Sequence, residues 1–113
     1  MKKTVKKLDN NVVRALTMAC ETAKETVPGF EWLTHRASYD RFPGSLVVTC
    51  VFDTNDSYLS ACEEKLDLYL SSLIQKQLLK VGIVIKVPRN LVRFDNEQDC
   101  HRDHDGDWAQ RIQ

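Results

Sequence analysis

Residues 46–87 restrict what this chain can fold into more than any other stretch. Leu46-Val47-Val48-Thr49-Cys50-Val51-Phe52 is β-branched and aromatic almost without polar interruption, which suits a strand covered on at least one face. Asp53-Thr54-Asn55-Asp56 stops it with side chains that hydrogen-bond local backbone groups. Ser60, three residues before Glu63, offers a capping box, so a helix begins within this turn or just after it. Leu59, Cys62, Leu66, Leu70, Leu73, Ile74 and Leu78 recur at helical spacing and predict one long amphipathic helix ending near Val81. Gly82 can take the left-handed conformation that closes a helix, and Ile83-Val84-Ile85-Lys86-Val87 reads as a second strand. A strand, helix, strand crossover within one sheet makes the two strands parallel.

The flanks complete the pattern. From Asp9 or Asn10 as N-cap, Val12, Leu16, Ala19, Cys20, Ala23 and Val27 form a helical stripe that Pro28-Gly29 ends. A strand over residues 30–39 and a turn at Arg41-Phe42-Pro43-Gly44 should form an antiparallel pair with the strand that starts at Leu46. Leu91-Val92-Arg93-Phe94 could continue the last strand beyond Pro88, Asp95 could cap a helix carrying Glu97, and Trp108 with Ile112 is spaced to fold a final helical turn back on the domain. The expected fold is α+β, a two-layer sandwich in the order α-β-β-α-β-α. It has one mixed sheet of three or four strands with the helices on one face.

One domain over residues 9–113 is expected at this length. The opening residues 1–8, with four lysines and no apolar period, are expected to be a disordered basic terminus, with a phosphate-seeking arm as the alternative. No apolar run approaches membrane-spanning length, and nothing in the start resembles a signal peptide, so a cytoplasmic protein with no membrane partner is expected. Cys20, Cys50 and Cys62 fall on apolar faces and read as reduced thiols, whereas Cys100 looks exposed. A formal net charge of zero hides an uneven distribution: a basic head, and six acids between residues 95 and 107 that make the C-terminal segment 95–113 acidic.

Several of these pieces carry resemblances. Val27-Pro28-Gly29-Phe30-Glu31-Trp32-Leu33-Thr34-His35, Arg41-Phe42-Pro43-Gly44-Ser45-Leu46, Cys50-Val51-Phe52-Asp53-Thr54 and Val92-Arg93-Phe94-Asp95 resemble a group of short, uncharacterised proteobacterial proteins, some labelled Fis-type transcriptional regulators. That likeness implies a DNA-associated regulator, which needs a helix-turn-helix near the C-terminus, where this chain has Pro88, a strand pattern and acidic residues. In element order, residues 9–95 resemble ribosome-binding factor A and the type II K-homology fold. This K-homology-like order implies an RNA-facing surface, although the GXXG clamp of that family is absent.

Two constellations could bear function. Arg36, Arg41, Lys86, Arg89 and Arg93, with Trp32, Tyr39 and Phe42 nearby in sequence, combine phosphate-gripping charge with rings on which bases stack. Cys100, His101 and His104, set among carboxylates, are competent metal ligands, with His101 and His104 one helical turn apart. No glycine-rich phosphate loop or nucleophile motif accompanies them. The expectation is a small binding or adaptor protein, without cofactor or catalysis, whose partner is RNA, the ribosome or another protein. A metal-binding protein using the Cys100 cluster is the alternative, and a homodimer through a sheet edge or helix stripe is a third reading.

Overall fold

The computed structural model of the chain describes residues 3–112. Its elements are α1 (Lys3–Thr26), β1 (Phe30–Arg36), β2 (Val47–Phe52), α2 (Asn55–Glu63), α3 (Leu66–Lys80), β3 (Val92–Asn96), α4 (Glu97–His104) and α5 (Trp108–Arg111), with short 3-10 turns at Tyr39–Arg41 and Pro88–Asn90. The fold is α+β around a three-stranded mixed sheet in the order β1-β2-β3. β1 runs antiparallel to β2, with a register irregularity between Phe30 and Trp32, and β2 runs parallel to β3. The third strand therefore lies beside the second.

Helix α1 begins at Lys3, so residues 3–8 are helical rather than disordered, and Asp9 is not an N-cap. Val5 and Leu8 extend the apolar stripe of Val12, Leu16, Ala19 and Ala23 by two more turns, and Leu8 packs against the core. The expected disorder at Met1 and Lys2 lies outside the described residues. At the other end of α1, Gly29 has φ +83°, and a Cβ there would stand 2.5 Å from the Cβ of Ser57. Only glycine permits that approach.

The single long helix expected after β2 is two helices. Lys65 sits between α2 and α3 with φ 61°, a left-handed conformation that costs a non-glycine residue roughly 1–2 kcal/mol. The break re-phases the apolar faces. In α2 the buried residue is Ala61 while Leu59 is half exposed, and in α3 the buried residues include Leu70, Ile74 and Leu78. The Ser60–Glu63 capping box is not used; Thr54 is the N-cap, its Oγ1 accepting from the Ser57 amide at 3.1 Å.

The third strand is not residues 83–87. β3 is Val92–Asn96, one turn further on. Ile83 and Ile85 are buried, but they fill the end of the core beside α3, where Gln75 Nε2 donates to the Ile85 carbonyl at 2.6 Å. Pro88, which has no amide to donate, then opens a 3-10 turn before β3 enters the sheet. Apolar alternation in 83–87 thus reflects burial of alternate residues without strand pairing.

The main core lies on one face of the sheet. Val48, Cys50, Phe52 and Val92 meet Val12, Leu16, Ala19 and Ala23 of α1 and Leu70, Ile74 and Leu78 of α3. The helices are not all on that face, however. Alternation along β2 turns Val51 to the opposite side, where it is wholly buried beneath the C-terminal segment. There Trp108 of α5 meets Trp32 of β1 edge to face at 4.8 Å, and Arg111 pairs with Asp95 of β3. Cys100 of α4 is buried too, contrary to the exposed thiol expected, and all four cysteines are free. Asn96, not Asp95, caps α4, its Oδ1 accepting from the Asp99 amide at 2.7 Å.

Candidate nucleic-acid interface

Chain direction decides where the charged residues gather. β1 ends at Arg36, whereas β2 and β3 begin at that same end of the sheet. Helix α1 turns directly into β1 and so lies antiparallel to it. Its opening turns return to the end of β1, where Tyr39 donates from its hydroxyl to Asp9 Oδ1 at 2.5 Å and His35 Nε2 lies 3.8 Å from the same oxygen. Helix α3 also finishes there, since its C-terminus leads through residues 83–90 into the start of β3.

Arg36, Arg41, Lys86, Arg89 and Arg93 therefore share one end of the molecule, together with Lys6, Lys7, Arg14, Lys76 and Lys80. All ten are exposed, and among the described residues none of them forms an ion pair. Asp9 and Asp40 are acids at that end, and Asp9 is engaged by Tyr39. Burial and the Asp9 carboxylate together push the Tyr39 hydroxyl up to about 12.

Most of the carboxylates lie toward the other end. Asp53 and Asp56 follow β2, Glu63, Glu64 and Asp67 surround the α2–α3 break, and Glu97, Asp99, Asp103, Asp105 and Asp107 lie in and after α4. Two of the bases there, Arg102 and Arg111, are held by those acids, while Lys65 between α2 and α3 is exposed with no ion pair among the described residues. Arg102 lies 2.8 Å from Asp103 and 3.2 Å from Asp99, and Arg111 contacts both Asp95 and Asp103. Hydrogen bonding from Arg102 lowers the Asp103 carboxyl to about 2. A chain of zero formal charge is consequently bipolar, with a field of opposite sign at its two ends.

The rings expected beside the basic set separate. Tyr39 and Phe42 stand at the basic end, their centroids 5.2 Å apart. Trp32 stands toward the acidic end, donating from its indole nitrogen to Glu97 Oε1 at 2.6 Å. Lys76 and Lys80 were not among the residues singled out from the sequence, and the opening lysines were expected as a disordered terminus, with a phosphate-seeking arm as the alternative. The directions of α1 and α3 were the signal that would have added them.

The metal alternative loses its geometry. Cys100 points into the interior, His101 is exposed, and His104 Nδ1 lies 3.3 Å from Arg111 Nη1. Among the described residues no three His, Cys, Asp or Glu side chains are placed to hold a metal ion. A DNA-reading helix is no better served near the C-terminus, because α5 has four residues and α4 carries Glu97, Asp99 and Asp103. Among the described residues no helix is long and apolar enough to cross a membrane. No family model matches the chain, and neither a curated protein nor a solved structure matches it.

Proposed function

We propose that this chain is a non-enzymatic RNA-binding protein that grips phosphates with its basic end. The observation that carries this proposal is the set of ten exposed lysines and arginines, none ion-paired among the described residues, assembled there from α1, β1, α3, β3, the two 3-10 turns and the segment at Lys86. Clustered charge of this kind is the electrostatic footprint of nucleic-acid binding. The run α1-β1-β2-α2-α3-β3 is similar in element order to type II K-homology domains and to ribosome-binding factor A, which supports RNA or the ribosome as partner over duplex DNA. Because the GXXG clamp of that family is missing, phosphate contacts come from side chains rather than from a backbone loop. Acids at the far end would turn the phosphate chain away and so orient the complex.

Retention of a mixed pool of cellular RNA, measured across a series of salt concentrations, tests this directly. With four or five phosphates neutralised on a single strand, log affinity should fall with log salt at a slope of about −3. Absence of retention at low salt would remove the proposal.

A further inference from the structure

The second face of the sheet is covered over only part of its length. Residues directly opposite one another in neighbouring strands share a face. Trp32, Val51 and Asp95 therefore form one row across it, Thr34, Thr49 and Arg93 the next, and Arg36 with Val47 the last before the basic end. The C-terminal segment covers the first row, where Trp108 meets Trp32 and Arg111 holds Asp95. It reaches no further. Thr34 and Thr49 are left in a pocket of about 320 Å³ whose lining also includes Trp32, Trp108, Ile112 and Arg36. That volume is at the lower end of the roughly 300–1,000 Å³ typical of ligand sites.

Thr49 says what the pocket lacks. Only 9 % of the residue is exposed, yet its hydroxyl makes no side-chain hydrogen bond among the described residues. Nor is the oxygen sealed in, because no fully buried side-chain oxygen or nitrogen there is without a partner, so it opens into the pocket. A hydroxyl this deep calls for an occupant with a polar edge, and an aliphatic chain would leave it unpaired. Charge narrows the choice. Arg36 and Arg93 border the side toward the basic end, while Glu97 and Asp95, behind the tryptophans, are taken up by the indoles and by Arg111. The occupant is thus neutral where it enters and anionic where it leaves. A duplex cannot supply it, since its bases are already stacked and paired. We propose that this pocket takes one unstacked base of a single-stranded RNA, with the adjoining phosphate on Arg36 and Arg93. The base packs against the indole wall, and its polar edge meets the hydroxyls of Thr34 and Thr49. Each hydroxyl both donates and accepts, so the sequence preference is slight.

This inference rests on the RNA reading, and its test separates the two. Both tryptophans of the chain line the pocket, so their emission reports its occupancy. The full chain is titrated at low salt with a mixed-sequence single-stranded RNA octamer, with an abasic octamer carrying the same phosphates, and with mixed nucleoside monophosphates. The RNA octamer should quench tryptophan emission and bind about tenfold or more tightly than the abasic one, which should bind without quenching. Thr49→Val and Thr34→Val, each close to the parent in shape, should each weaken the RNA octamer about three- to tenfold and leave the abasic octamer unchanged. Equal affinity for the two octamers without quenching, or two valine variants that bind as the parent does, would overturn the pocket and leave the RNA reading standing. Failure of both octamers to bind would overturn both. Monophosphates that quench with the affinity of the octamer would make this a free-nucleotide site and overturn the proposal.

Discussion

Arg111 holds Asp95 with two prongs, Nε 2.6 Å from Oδ2 and Nη2 2.9 Å from Oδ1, and so ties the last helical turn to the third strand. Both side chains are mostly removed from water, at 17 % and 19 % exposure. Two charge-assisted hydrogen bonds in that setting are far stronger than a surface pair. Arg111→Leu should cost about 2–3 kcal/mol in urea unfolding, because a largely buried Asp95 loses its cation and keeps only the Asn96 amide as donor. An unfolding midpoint equal to that of the parent protein would show that α5 is not held in this way.

Glu97 receives both indole nitrogens of the C-terminal aromatic pair, Trp32 at 2.6 Å and Trp108 at 3.3 Å. Glu97→Ala removes the common acceptor and leaves two half-buried donors unpaired. Tryptophan emission should shift to the red and stability fall by about 1–3 kcal/mol. Emission unchanged in position would mean that ring packing alone, with centroids 4.8 Å apart, fixes the pair.

Two glycines separate conformational strain from crowding. Gly29 and Gly82 have nearly the same positive φ, +83° and +84°, but a Cβ at Gly29 would meet Ser57 whereas nothing lies within 4 Å of one at Gly82. Gly82→Ala should cost about 1–2 kcal/mol, the left-handed term alone. Gly29→Ala carries the same term and also forces backbone or Ser57 to move, so its loss should exceed that of Gly82→Ala in the same denaturant series. Equal losses would contradict the close approach of α2 to the α1–β1 turn.

Alkaline pH should weaken the fold through Tyr39. Its pKa is raised from 10.0 to about 12, by burial first and then by Asp9, so the protonated hydroxyl is favoured in the folded state. Stability from this group is fully present below pH 10 and is lost as pH rises toward 12. Tyr58 and Cys50 are raised to about 12 as well, Tyr58 mainly by its hydrogen bond with Cys62 and Cys50 by burial. Unfolding free energy followed from pH 9 upward should therefore decline across that window. Tyr39→Phe should reduce the steepness without abolishing the decline, and an identical slope would contradict the Tyr39–Asp9 bond.

How much of this was legible in the sequence depends on what each pattern reports. Val47–Phe52 is apolar on both faces because it is the central strand, flanked by β1 and β3 and covered on each side, and such a run is visible without a partner. Residues 83–87 alternate just as clearly, yet alternation records which side chains are buried and says nothing about what the backbone bonds to. The stripe from Leu59 to Leu78 likewise hid the break at Lys65, since nothing in the local spacing marks a left-handed lysine. Asp95 and Cys100 were misplaced for one shared reason: α4 and α5 fold over the second face of the sheet, a long-range contact that made one an ion-pair partner and the other a core thiol. Of the proposed interface, the five bases Arg36, Arg41, Lys86, Arg89 and Arg93 were readable by type. Their company with Lys6, Lys7, Arg14, Lys76 and Lys80 required the direction of every helix.

Charge reversal at the two ends is the most direct measurement of the central claim, that RNA is gripped by the basic end. Arg36→Glu, Arg89→Glu and Arg93→Glu combined in one chain alter exposed side chains that form no ion pair among the described residues, and Lys24→Glu with Lys65→Glu makes exposed changes away from that end. Binding to the RNA pool at low salt should fall by about a hundredfold or more for the first variant, with a shallower salt slope. It should change by no more than about threefold for the second. Equal losses from the two variants, or full retention by the first, would contradict the account.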